Sequence, residues 1–207
     1  MVTEESGERR MQIEMGSSDR ADRFHEHQMS RSLNPKMIEL IARQEMVFVA
    51  TADAGGNCDC SPRFGEPGFI HIIDETTLAY PEYRGNGVYA SLGNILENPH
   101  IGLVFLDFFQ TTVGLHVNGK AVSYSPDELP KSLVSDLLNT GSQKRILERW
   151  VIVTIDEAYI HCSKHVPLLK TQSKAIEWGT DDPLVKSSDY FTEASNPGRD
   201  SSAPVDS

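Results

Sequence analysis

YPEYRGNGVYASLGNILENPHIGLVF, residues 80–105, runs from a strand end through a glycine-bearing turn and an amphipathic helix into a very apolar strand. Arg84-Gly85-Asn86 stands where the turn feeds the helix. Asn86 is a good N-cap type, Gly85 and Gly87 let a backbone approach a ligand, and Arg84 adds a fixed positive charge. Unpaired amides and the positive end of a helix dipole make such a corner suited to an anion, a phosphate above all. Val88, Leu92, Ile95 and Leu96 share one helical face that can pack the corner down, and Asn98-Pro99 ends the helix. An ordinary strand-to-helix connection uses the same residue types, so the corner gains meaning only from its surroundings.

Upstream, Asn34-Pro35 opens a helix with proline at its first position, and Met37, Ile38, Ile41 and Ala42 fall on one side of it. Residues 46–52, MVFVATA, form a strand, Asp53 to Asn57 a turn, and residues 58–63 the returning arm of a hairpin. Alternation places Asp59, Ser61 and Arg63 on one face of that arm and Cys58 and Cys60 on the other. Strands follow over residues 69–73 and 77–80. Downstream of the helix come a buried-type strand over 100–106 and a long strand over 113–124 with Gly119 as a bulge. Ser125-Pro126-Asp127-Glu128 is a capping box opening a helix with Leu129, Leu133, Val134, Leu137 and Leu138 on its core face and Gly141 beyond its end. Residues 150–161 are one long strand, interrupted near Asp156-Glu157. The order is helix, four strands, helix, two strands, helix, strand. Early hairpins imply an antiparallel sheet, and six or seven strands around one core imply a mainly β barrel with flanking helices. No G-x-G-x-x-G follows the first strand, and helices do not alternate with strands, which disfavours a parallel dinucleotide fold.

With 207 residues the chain fits one domain over residues 31–180, flanked by a flexible segment over 1–30 and a disordered acidic tail over 181–207. The net charge of -11 is concentrated outside that domain: residues 1–27 carry 7 acidic against 4 basic side chains and residues 179–207 carry 6 against 2. An acidic chain without a basic stripe is a poor nucleic-acid binder. No apolar run reaches a membrane span, and the N-terminus lacks the apolar region of a secretory signal. Three cysteines make no disulfide framework and point to a reducing, cytoplasmic setting, with the thiols buried or part-buried. Cys58-x-Cys60 with His161-Cys162 matches no common zinc spacing, so no metal is expected. His71 and His116 are expected as packed barrel residues, and Trp150 and Trp178 at the core edge or a dimer surface. Ser61-Pro62-Arg63 lacks the glycine-flanked elbow of a nucleophilic serine, and no catalytic acid or base stands out.

Four segments in this order, MVFVATADAGGN, SPRFGEPGFIHIIDETTLAY, YRGNGVYASLGNILENPHIGLVFLD and EAYIHCSKH, resemble the pyridoxamine 5'-phosphate oxidase-like flavin-binding split barrels. The resemblance spans roughly residues 35–180. It implies a six-stranded antiparallel split barrel and a homodimer with two FMN sites at the subunit interface, deazaflavin or haem replacing FMN in some relatives. By resemblance, Ser61 and Arg63 line the flavin ring or ribityl chain. Tyr80, Arg84, Gly85, Asn86, Tyr89, Ser91 and Asn94 form the ribityl and phosphate side, and Lys164 approaches the cofactor late in the chain. The implied activity is hydride or electron transfer on a small-molecule substrate through the flavin. The alternative is a non-catalytic flavin or haem store, His161 or His165 being the haem ligand. Many such sequences carry a second basic residue after Arg-Gly-Asn; here stands Gly87, and a lost charge-assisted phosphate contact is worth about 1.5–3 kcal/mol. The C-terminal substrate segment of true pyridoxamine phosphate oxidases is not recognisable, which leaves the substrate open.

Overall fold

The computed structural model describes residues 6–137 and 146–173. The expected sequence of elements is present. Helix α3 (Pro35–Ala42) follows two short N-terminal helices, α1 (Gly7–Glu14) and α2 (Ser18–Gln28), and a two-residue strand, β1 (Met29–Ser30). The Asn34 side chain accepts hydrogen bonds from the amides of Lys36 and Met37, the cap that its position before Pro35 predicts. Then come β2 (Met46–Ala52), β3 (Cys58–Phe64), β4 (His71–Asp74), β5 (Thr77–Tyr83), α4 (Ala90–Glu97), β6 (His100–Leu106), β7 (Gly114–Tyr124), α5 (Lys131–Leu137) and β8 (Leu147–His161). The Ser125–Glu128 capping box is formed, over a short 3-10 turn that precedes α5. Leu138, Gly141, Trp178 and the tail over 181–207 lie outside the described residues.

All strand pairs are antiparallel, in the order β3-β2-β6-β7-β8-β5-β4, with β1 added to the far half of β8. The fold is thus a mainly antiparallel β structure of split-barrel type, with eight strands among the described residues where six or seven were expected. Period-two burial lines its interior: Val47, Val49 and Thr51 of β2, Ile101, Leu103 and Phe105 of β6, Leu115 and Val117 of β7, Val151, Val153 and Ile155 of β8. Opposite Asn118-Gly119, strand β8 holds one extra residue, Asp156, because Asn118 pairs with Glu157 and Gly119 with Ile155. A bulge shifts the inward parity by one, so the next buried residue of β8 is Ala158 and not residue 157. The interruption expected near Asp156-Glu157 is this bulge within a continuous strand. Gly119 is required beside it, since a Cβ there would collide with the Thr154 carbonyl.

Leu92 and Ile95 of α4 enter the main core, while α5 covers the opposite face of β5 and β8, where Ala79, Leu129, Leu137 and Trp150 form a second buried cluster. His71 meets Trp150 edge to face. His116 bonds His161 and stacks on Tyr159. All three cysteines are exposed, contrary to the buried expectation, because Cys58 and Cys60 occupy the outward positions of an edge strand and Cys162 follows the end of β8.

Residues 7–28 were expected to lack regular structure and instead form α1 and α2. Ser6 caps α1 by accepting from the Arg9 amide, and polar contacts hold the two helices together: the Arg9–Asp22 ion pair at 2.8 Å and His25 against Glu8 at 3.2 Å. Apolar contact is confined to places such as Phe24, edge-on to Tyr159, so apolar periodicity had little to register. No helix among the described residues is long and apolar enough to cross a membrane.

The hydrogen-bonded strand order does not close: β3 and β4 are its ends. Across that split, Arg63 of β3 reaches Glu82 of β5, its Nε 2.9 and 3.0 Å from the two carboxylate oxygens and its Nη2 2.7 Å from Oε1. Directly after β6, Asp107 is almost fully buried and accepts hydrogen bonds from the amides of Phe109, Gln110 and Thr111, from the Thr111 hydroxyl and from Arg43. Burial raises the Asp107 pKa, but the bonds from Thr111, Phe109 and Gln110 outweigh it and bring the group from 3.8 to about 2.

The folded-state value of Asp107 lies below the unfolded one, so its stabilisation is complete above the unfolded pKa. That contribution is lost as pH falls toward about 2. Asp107→Asn is expected to destabilise the protein by roughly 2 kcal/mol at neutral pH and to flatten the acid limb of stability against pH, read by denaturant titration at stepped pH. For the bridge across the split, Arg63→Met leaves Glu82 buried and uncompensated. It is expected to cost about 3–5 kcal/mol, whereas the Arg63→Met/Glu82→Met double variant recovers most of the loss. A double-variant loss equal to the sum of the Arg63→Met and Glu82→Met losses would show that the pair is not coupled.

Candidate functional site

Strand β3 supplies the first wall of the site. In register with inward Val47, Val49 and Thr51 of β2, it presents Arg63, Ser61 and Asp59, a polar inner face beside an apolar one. Strand β5 supplies the second wall: Leu78, Tyr80 and Glu82 point inward, with Glu82 nearest the mouth. The chain then crosses the mouth over residues 84–89 before α4 begins. Together with the start of β8 these segments enclose a cleft of about 660 Å³, a size that suits a ligand of cofactor dimensions.

Helix α4 starts at Ala90, not near Asn86 as the sequence suggested. The Asn86 side chain accepts from the Val88 amide at 3.0 Å, closing a local turn and not a helix cap. Gly87 at φ +80° and Tyr89 at φ +53° put the backbone in the left-handed region, which no right-handed helix can include. Val88, left outside the helix, is 70 % exposed, and Leu96 near the end of α4 is 80 % exposed, so Leu92 and Ile95 are the packed face of α4. Tyr89 caps the helix without a side-chain bond, so the first-turn amides of α4 have no side-chain partner from the cap.

Of the residues expected in the site, Ser61, Arg63, Arg84, Gly85, Asn86, Tyr89 and Ser91 line this cleft. Three others do not. Tyr80 lies one inward position deeper than Glu82 and is fully buried in the core, where burial pushes its phenol pKa up. Asn94 donates to Thr51 Oγ1 at 3.0 Å, tying α4 to β2. Lys164 sits in a 3-10 turn past the far end of β8, whereas the cleft uses the near end of that 15-residue strand.

Three carboxylates were missed as site residues. Asp59 Oδ2 accepts from Ser61 Oγ at 2.9 Å and from Ser91 Oγ at 3.0 Å, and Ser91 Oγ accepts from Arg63 Nη2 at 3.2 Å. Glu82 holds Arg63. Burial would lower the Arg63 pKa, but Glu82 more than compensates and raises it. Glu148 accepts from Arg84 Nε at 3.1 Å on one oxygen and from the Tyr89 hydroxyl at 2.9 Å on the other, the latter bond raising the Tyr89 pKa. Strand alternation exposes Asp59 and Glu82 as neighbours of Arg63 and Tyr80; nothing local in the sequence marks Glu148.

The two arginines differ in availability. Arg63 and Glu82 side chains are 20 % and 11 % exposed, whereas Arg84 is half exposed, so its pair with Glu148 is the exchangeable one. Gly85 and Gly87 border open space, with no atom within 4 Å of a built Cβ. The donors on this side, Arg84 with the loop and α4 amides, are chemically suited to a phosphate. A larger cleft of about 1440 Å³ between the N-terminal helices and β8 contains none of the expected site residues.

No curated protein sequence matches this chain. Among solved structures, a variant of HupZ from Group A Streptococcus is similar at 20% identity and a TM-score of 0.50, covering 62% of this chain and 98% of that one. HutZ, the haem storage protein from Vibrio cholerae, shows 12% identity and a TM-score of 0.45, with 62% and 94% covered. An FMN-binding protein from Syntrophomonas wolfei shows 16% identity and a TM-score of 0.43, with 75% and 99% covered. The family model for pyridoxamine 5'-phosphate oxidase matches residues 33–162, from just before α3 to the residue after β8. Since that match takes in more than half of the sequence and every element that builds the cleft, the chain belongs to the pyridoxamine 5'-phosphate oxidase-like family.

Proposed function

We propose that this chain is an FMN-dependent oxidoreductase acting on a small-molecule substrate. The supporting observation is the convergence of half-exposed Arg84, the open 85–89 loop and the first turn of α4 on one cleft of cofactor size. Arg84, the loop amides and the α4 N-terminus hold the phosphate in this reading, while Ser61, Asp59 and the β3 backbone face the ring and ribityl chain. When bound, the flavin supplies hydride or electron transfer; the protein binds, orients and screens it from water. The cleft is open outward and rimmed by exposed Phe64, Val88 and Tyr89, an apolar edge that a second copy of the chain would cover. A homodimer is therefore proposed, with the cofactor between subunits and a cytoplasmic location.

One observation favours a second reading. Asp59, Arg63, Glu82, Arg84, Tyr89 and Glu148 bond to one another or to neighbouring serines, and none is aimed alone into the cleft as a general acid or base. Such a site also suits a protein that holds a flavin without turnover, whereas a haem would find no histidine in this cleft, His161 being bonded to His116 at the far end of β8 and His165 lying in the turn beyond it.

Purified protein incubated with FMN is expected to retain a yellow flavin spectrum after desalting and to run as a dimer. Arg84→Ala should weaken FMN binding severalfold, because the phosphate then faces Glu148 with no cation between them. Protein that stays colourless would remove the flavin reading. Oxidation of a nicotinamide reductant with turnover separates the enzyme from the store.

A further inference from the structure

Where β5 meets β8, Glu82 pairs with Arg149 and Tyr83 with Leu147, so Glu148 is the residue left over between two ladder positions. Such a break re-aims a side chain, and here it swings the carboxylate across the mouth of the cleft. Both its oxygens are engaged, one by Arg84 and one by Tyr89, each carried by the 84–89 loop. A phosphate at this corner would need the same two donors. The rest of the lining gives an anion little compensation: two arginines face three carboxylates, Arg63 is committed to buried Glu82, and Gly87 carries no side chain.

We propose that Glu148 is a built-in competitor for the ligand's anion at Arg84, so that this chain distinguishes poorly between a phosphorylated flavin and the same flavin without phosphate. The inference rests on the flavin reading above for its ligand, though not for its chemistry, which concerns any phosphate-bearing molecule in the cleft. Binding a phosphate exchanges one anion for another at Arg84 and releases a carboxylate into a cleft that is already acidic. That exchange cancels most of the gain a phosphate would otherwise bring. A neutral amide in place of Glu148 still accepts from Tyr89 and holds the loop, but it no longer opposes the phosphate.

The test compares FMN with riboflavin, which lacks the phosphate, on the full-length wild type, Glu148→Gln and Glu148→Ala, read by quenching of flavin fluorescence. Wild-type affinities for the two flavins are expected within a few-fold of each other, and both variants should tighten FMN about tenfold while leaving riboflavin unchanged. Inorganic phosphate serves as a probe independent of the ring: it should raise the Tm of Glu148→Gln clearly more than that of the wild type. FMN affinity that is unchanged or weaker in Glu148→Gln, or equal tightening of both flavins, overturns the proposal. If neither flavin binds any of the proteins, the flavin reading falls, and the phosphate shifts alone decide: a larger shift in the variant sustains the competitor, equal shifts overturn it.

Discussion

A guanidinium lying across a gap in the sheet is the contact on which this site depends. The ladder of backbone hydrogen bonds ends at β3 on one side and β4 on the other, so backbone bonding cannot hold β3 against β5. The Arg63–Glu82 pair does so instead, at 2.7 to 3.0 Å and largely out of water. A buried ion pair of this kind contributes less to net stability than to defining one arrangement, because either partner alone is a costly buried charge. Ser91 extends the same contact to the first turn of α4, and Asp59 completes it from β3. Three elements distant in sequence thereby share one polar network, and the cleft is the space left above it.

Two breaks in strand register shape what that network faces. The extra residue Asp156 lets one 15-residue strand serve two surroundings, pairing β5 along its first half and β1 along its second, with its buried side switched between them. The other break, at Glu148, turns a carboxylate toward the loop that forms the mouth. Both irregularities lie in β8, the strand with the most partners. Close packing on three sides makes it the place where a one-residue slip has the largest effect.

Charge is arranged at two scales. Along the sequence, much of the acidity lies toward the two ends. Within the cleft, each arginine is matched by a carboxylate at hydrogen-bond distance, so the sign of the site is set by pairs and not by composition. What separates the two pairs is burial. Arg63 is held largely out of water, and Arg84 meets its carboxylate half in water.

Sequence alone determined the element order from Asn34 to His161, the hairpin over 46–64, the cap at Asn34, the capping box at Ser125 and the irregularity opposite Gly119. Each is a local matter of side-chain period, turn chemistry or backbone freedom, and local rules act within a few residues. It also grouped Ser61, Arg63, Arg84 and Ser91 through resemblance, and the fold brings these to one cleft. It placed the cap of α4 three residues early, because Asn86 is as good at closing a turn as at capping a helix, and only the left-handed backbone at Gly87 and Tyr89 separates the two. Tertiary structure alone decided that Tyr80 sinks into the core, that Lys164 ends far along β8, and that Glu82 and Glu148 meet the two arginines. Those contacts join residues 19 and 64 positions apart, across a split and a register break. No periodicity in the chain encodes such a meeting, since it arises only when the strands have been laid side by side.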